Sequence, residues 1–488
     1  VNMKKIVTAS LVAALALTGA NASSLADRLS DLETELAKVK KKLKSQNKKI
    51  NTVKAHDAGD NIKWSADVRT AIDNIDYDMA DGSSAGKDDL MSLRLWLNME
   101  YAADSKNIFK GQLSMNKAFG ANFAMPSQFS TFDWTSNEGL TDNSLKVRQA
   151  YWLYLGDDAF GAGMPWTFSL GRRPSTNGFL ANLRDDDAAQ SPLGHVINVE
   201  FDGLSSKLDL SGVTGVPGMS IKLCMGQGST NAEPLIGGAT PNANDDMNLD
   251  DIQLAGLIFE PYNDGQFITK ATWYKAFDLP GLADNNPADG QPDTVGTPPL
   301  SALLMDQYGD MEGGAFSMMV DGLGESDFLF GTKVFASIAY SKTDPASGKA
   351  MLGSTDSETG TSYWVGTQLP IIENGKLGLE YNHGSKYWRP FTYAEDTMIG
   401  SKLAARGDAY EAYFTYQLTD ALSAQLRYTL IDYDYTGSNG FFGNLSGTPM
   451  KISDLKAAAA GGDPMAQAML PMIVEKAQDI RFYLRYRF

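Results

Sequence analysis

The sequence predicts an all-β transmembrane antiparallel barrel of 16 strands, or 18 on an alternative count, preceded by a short α-helical coiled coil. Three observations carry this. First, residues 479–488 alternate without a break: Ile480, Phe482, Leu484, Tyr486 and Phe488 on one face, Arg481, Tyr483, Arg485 and Arg487 on the other. Period two is a β-strand, and an apolar face backed by a charged one suits a wall between lipid and a wet lumen. Second, such segments recur from Trp64 to the end, joined by short and long connectors in alternation. Third, mean hydropathy is only −0.25 although the chain holds 20 Tyr, 22 Phe, 8 Trp and 47 Gly. Lipid and lumen faces cancel in such an average. After Ser23 no run of about 18 apolar residues exists to cross a bilayer as a helix.

The elements follow in order. Lys4 and Lys5, the apolar stretch from Ile6 to Leu17 and the small-x-small Ala20-Asn21-Ala22 read as a signal peptide over residues 1–22, cleaved before Ser23. Residues 23–55 read as a periplasmic coiled coil. Its core positions are Leu25, Leu29, Leu32, Leu36, Val39, Leu43, Ile50 and Val53, with Gln46 at one d position. So narrow a stripe has little to bury against except copies of itself, which predicts oligomerisation; the alternative is a single solvated helix. Seven lysines between Lys38 and Lys49 read as a solvated face, with contact to anionic peptidoglycan as a second reading. Residues 56–63 form a linker, and residues 64–488 the barrel.

Short connectors are placed at 103–106, 156–165, 203–204, 261–265, 322–327, 371–376 and 419–420. Long ones are placed at 78–90, 118–144, 174–195, 227–250, 278–313, 342–360, 386–407 and 435–478. Seven turns and eight loops give 16 strands with both ends on one side. This requires residues 208–225 to be one strand; a hairpin at Gly215–Gly218 raises the count to 18. Either number leaves an aqueous interior.

With the apolar faces outward, the opposite face carries Arg69, Arg94, Lys110, Lys146, Arg148, Arg427, Arg481, Arg485 and Arg487, with Glu100, Glu380 and Glu411 among fewer acids. Barrel closure puts Arg69 beside the terminal arginine ladder. Charge rows in a pore set ion preference, so the lumen is expected to lean toward anions. Pairing of these charges with loop acids is the competing reading. Arg173, Arg184, Asp185, Asp186 and Asp187 mark one loop as a constriction candidate if it folds inward. Asp185, Asp186 and Asp187 also allow a calcium reading. Trp96, Trp152, Tyr154, Tyr274 and Tyr483 are read as inward aromatics, a possible stacking track. The Ala- and Met-rich residues 455–478 read as one or two short helices that cap or partly plug the mouth.

Several classes are disfavoured. A net charge of −17 argues against nucleic acid. The single Cys224 rules out an internal disulfide framework, and the three histidines lack metal-ligand spacing. Neither a cofactor nor a catalytic constellation is expected. Lys54 to Trp64, Gly171 to Thr176 with Asn182-Leu183-Arg184, and Val213 to Met219 resemble a porin-like outer-membrane family of campylobacter-type bacteria, a domain of unknown function. The resemblance implies fold and location more than substrate, and trimeric porins with periplasmic coiled coils are the nearest precedent. The expected function is passive diffusion of small hydrophilic solutes and ions through a homotrimer in outer-membrane lipid. The alternatives are a substrate-selective channel or a plugged barrel that tethers the envelope.

Overall fold

A computed structural model describes residues 62–121, 139–140, 142–230, 232–234, 243–245, 250–282, 305–392, 399–438, 440, 442–443 and 447–488. The expected signal peptide, the expected coiled coil with its core positions and most of the expected linker lie outside the described residues.

Sixteen strands close into one antiparallel barrel. They are β1 Lys63–Met79, β2 Ser84–Ala102, β3 Asn107–Ala118, β4 Lys146–Ala159, β5 Met164–Ser175, β6 Ile197–Asp209, β7 Ser220–Ser229 and β8 Ile252–Asn263. The second half comprises β9 Phe267–Leu282, β10 Met305–Asp321, β11 Lys333–Pro345, β12 Thr359–Ile372, β13 Gly375–Gly384, β14 Gly407–Gln417, β15 Leu422–Tyr433 and β16 Val474–Arg487. Each strand pairs with its chain neighbours, and β1 pairs with β16 from Asp67↔Arg487 to Met79↔Val474, so the ladder has no free edge. Closure answers the backbone groups that lipid cannot.

The alternation predicted at the C-terminus holds along β16: Ile480, Phe482, Leu484 and Tyr486 are exposed while Arg481, Tyr483 and Arg485 are buried. The same outward row continues through Leu170, Leu223, Met225, Ile338, Val365 and Leu426 on other strands. Water does not support an apolar band of this extent on a single chain, whereas lipid does.

The count of 16 is right, yet two placements behind it are wrong and cancel. The hairpin at 210–219 is real, built from a short helical turn at Ser211–Thr214 and left-handed Gly215 and Gly218. The turn expected at 203–204 does not exist. Gly203 lies inside β6, in register with Gly171 on one side and Gly226 on the other. A side chain at Gly203 would run into the backbone of Met225 and Gly226, so this glycine row marks close strand approach rather than chain reversal. The long loop expected at 78–90 is also corrected: β1 and β2 pair as far as Asp78↔Ser84 and leave a four-residue turn at 80–83. Asp78 and Ser84 there are strand positions beyond the apolar band, Lys87 is in register with inward Ile75, and Asp81 and Ser83 belong to the turn.

Parity fails at one further place. Arg148 is an extra residue between the pairs Leu113↔Val147 and Gln112↔Gln149. This bulge reverses the facing of everything after it in β4. Trp152 is therefore exposed beside outward Phe109, and Tyr154 shares its side. Neither can belong to a lumen track. The residues 455–478 do form two short helices, Ile452–Ala460 and Pro464–Met469. None of their side chains joins the apolar cluster inside the barrel.

Candidate functional site

The interior is dominated by the segment between β5 and β6. Instead of rising away from the barrel, residues 176–196 fold across the lumen. Gly178–Phe179 pairs with Gln190–Leu193, and a single turn of 3-10 helix at Ala181–Leu183 carries the tip. Asn177, Leu180 and Asp186 all have positive φ. For Leu180 this is a costly conformation, which persists only where surroundings over-determine it.

The surroundings do so. Gln368 of β12 donates to the Leu183 carbonyl at 3.2 Å, Gln425 of β15 to the Arg184 carbonyl at 2.7 Å, and Arg485 of β16 to the Asp185 carbonyl at 2.7 Å. At the returning end, His195 lies 2.8 Å by Nδ1 from Ser337 and 2.9 Å by Nε2 from Ser362, edge-on to Trp364 and Trp388. Phe179, Leu180, Leu183, Leu193 and Val196 complete a dry cluster with Tyr274, Phe335 and Trp364 of the wall and Trp388, Phe391 and Leu403 of the 385–406 loop. Burial of this apolar surface explains how the loop is held inside at all. It also occupies the lumen beside β9, β11 and β12.

The acidic tip meets the basic wall. Asp185 is buried; burial opposes its charge, but Arg184, Arg427, Arg69 and Arg485 outweigh this and hold its carboxyl far below the usual range. Asp186 pairs with Lys376 at 2.7 Å, and Asp187 with Arg485 at 2.8 Å and Arg487 at 3.1 Å. Each carboxylate is thus taken by different cations. No convergent set of metal ligands exists among the described residues, and the calcium reading of the three aspartates gives way to these ion pairs.

The other predicted positions face inward with unequal surroundings. Arg94, Arg69 and Arg485 stand side by side on β2, β1 and β16. Asp67 takes Arg485 and lies 3.5 Å from Arg94. Arg481 pairs with Asp73. Arg148 reaches Glu200 at 3.1 Å and Gln112 at 2.9 Å. Glu380 and Glu411 share Lys402 at 2.7 and 2.5 Å, and Glu411 also accepts from Thr429. Lys110 and Glu100 pair at 3.5 Å nearer the turn side, and Lys146 is half-buried. Arg173 belongs to β5 rather than to the loop and rests over the Tyr151 ring.

Open space lies on the β1–β4 side and, in a smaller cavity of about 50 Å³ against Arg173, Ser205 and Lys222, beside β5–β8. A cavity of about 400 Å³ is lined by Asp67, Asn98, Gln112, Gln149, Asp187 and Arg487 among others. A smaller one of about 50 Å³ lies against Arg94, Asn116, Arg184, Asp185 and Asn198. Trp96, Arg148 and Asn177 line both, and so mark the narrows between them. Both guanidiniums, Arg94 and Arg148, sit over the Trp96 ring, at 3.6 and 4.3 Å from its centroid. Sequence reasoning missed Lys402, His195 and Trp388 as anchors. Residues on irregular loops have no periodicity to reveal them.

Residues 84–488 match the family described as "Protein of unknown function (DUF3373)". The chain belongs to this family. A search of curated proteins finds no match. Among solved structures, the chain is similar to OprB of Pseudomonas putida at 10% identity, covering 89% of this chain and 96% of that one with a TM-score of 0.48. It is similar to OmpF of Salmonella typhi in complex with daunomycin at 13% identity, 88% and 99% coverage and TM-score 0.44. An anion-selective porin from Comamonas acidovorans aligns at 9% identity, 88% and 99% coverage and TM-score 0.44.

Proposed function

We propose that this DUF3373 member is an outer-membrane diffusion channel for small hydrophilic solutes and ions, leaning toward anions, and that it assembles as a homotrimer with residues 23–55 in the periplasm. One observation carries the reading. The inserted loop fills one side of the lumen and leaves the other, where Arg94, Trp96 and Arg148 face the remaining space. Fixed guanidiniums beside open space in a lumen raise the local concentration of anions there. The narrows also favour slow, size-limited passage over a wide pore.

The test is planar-bilayer recording of the purified, detergent-solubilised protein in a KCl gradient. Discrete steps with an anion-selective reversal potential are expected, with closures in threes for a trimer. In Arg94→Gln and Arg148→Gln variants the reversal potential should move toward the cation side. Cation selectivity in the unmodified protein would keep a channel and sink the anion reading. A second reading is favoured by the dry cluster around Trp364 and Leu180. If no steps appear at all, a plugged barrel with a tethering role takes its place.

A further inference from the structure

Arg427 stands on the seam between the inserted loop and the wall. It is 1% exposed, projects inward from β15, and lies in register with Tyr413 of β14 and Arg481 of β16. Its Nε, Nη1 and Nη2 make no hydrogen bond to any described residue. A guanidinium carries five N–H donors, and buried donors in folded proteins are answered almost without exception.

The charged groups around it are Arg184 of the loop, Arg481 of the wall, Glu411 and Asp185. Both acids are already engaged. Glu411 accepts from Lys402 at 2.5 Å through Oε1 and from Thr429 at 2.9 Å through Oε2. Asp185 lies 3.6 Å from Arg184 through Oδ2 and accepts from the Tyr483 hydroxyl at 3.4 Å through Oδ1. Arg481 is held by Asp73. Arg184 thus has both acids within 3.6 Å and Arg481 has Asp73, whereas the Arg427 guanidinium beside them has no hydrogen-bond acceptor among the described residues. Asp479, whose two carboxylate oxygens also make no hydrogen bond to a described residue, is the competing partner. The register places it opposite Thr429, diagonal to Arg427, with Arg481 directly across.

We propose that this seam binds a small inorganic anion, a halide or a compact oxyanion, which accepts from Arg427 between the loop's Arg184 and the wall's Arg481. Full burial limits the ligand to a few atoms, and three cationic donors select negative charge over neutral polar groups. The anion would help fasten the loop, so the site stands whether or not the passage conducts.

The direct test is bromide. Crystals of the full-length, detergent-solubilised protein grown in sodium bromide should show an anomalous peak within hydrogen-bonding reach of the Arg427 guanidinium. An absent peak, with Arg427 turned onto Asp479, overturns the proposal. A second measurement follows melting temperature when chloride is replaced by gluconate at constant ionic strength. The unmodified protein should lose roughly 2 °C or more relative to Arg427→Gln, since only a native state that binds the anion is stabilised by it. Equal responses in both proteins would mean a general salt effect and no site. The bromide map on the unmodified chain does not depend on whether the variant folds. Conductance is read separately, so loss of the channel reading and loss of the anion site are distinguishable.

Discussion

His195 shows how much one side chain of the inserted loop carries. It is fully buried between Trp364 and Trp388 with both ring nitrogens facing serine hydroxyls. Burial pushes its pKa down to about 3, against about 6.5 for a histidine in water. The sign follows. Between those two values a released or unfolded loop binds a proton that the docked loop refuses. The stability His195 contributes is therefore complete above about pH 6.5 and falls as pH drops toward 3. At pH 5 the loss is about 2 kcal/mol. Guanidinium unfolding in detergent at pH 7.5 and pH 5 should show that decrement in the unmodified protein and a smaller one in His195→Gln. Equal decrements would mean that His195 is solvated in the native state. Asp185 works in the same direction at lower pH. Its carboxyl is held well down by Arg184, Arg427, Arg69 and Arg485 despite burial, so its contribution is present at neutral pH and lost in strong acid.

At the scale of strands, aromatic side chains lie over glycines on the neighbouring strand. Tyr413 of β14 covers Gly378 of β13, its register partner. Phe335 of β11 covers Gly366 of β12, likewise in register. In each pair a Cβ on the glycine would collide with the ring. A large inward ring needs such a recess to lie flat against a curved wall. Gly378→Val should therefore drive Tyr413 into the Glu380–Glu411–Lys402 cluster and cost about 1–3 kcal/mol. Gly378→Val with Tyr413→Ala should recover part of it, and a simple loss of strand propensity would show no such recovery. These pairs also explain which parts of the fold were legible. Alternation along β16 is local, so the facing of Arg481 and Arg485 could be read from their spacing. The facing of Trp152 could not, because it depends on Arg148 being extra relative to β3, a fact of pairing rather than of β4 alone. Gly203 looked like a turn for a related reason: its partner glycines, Gly171 and Gly226, are far away in sequence. The loop candidates Arg184 to Asp187 were legible as a charged cluster, but their individual partners come from strands up to 300 residues distant and were not.

For the molecule as a whole, the charge balance changes sign with depth: among the described buried residues, eleven Arg and Lys stand against eight Asp and Glu. The net charge is −17, yet the buried interior holds Arg69, Arg94, Arg148, Arg427, Arg481 and Arg485. Much of the acid sits beyond the apolar band on the long-loop side. Asp76, Asp78, Asp408 and Asp432 face outward there, and Lys476 answers Asp432 at 3.4 Å across an exposed pair. These exposed carboxylates act on an approaching anion through water, where the screening length is about 10 Å at 0.1 M salt and about 3 Å at 1 M. The guanidiniums at the narrows are buried and are screened far less. An acidic rim should thus oppose anion passage mainly at low salt. The chloride-over-potassium permeability ratio is expected to rise as symmetric KCl is raised from 0.1 to 1 M and the gradient is measured at each level. A ratio that instead falls toward unity would mean that the selecting charges are the exposed ones. The narrows at Trp96, Arg148 and Asn177 would then set size alone.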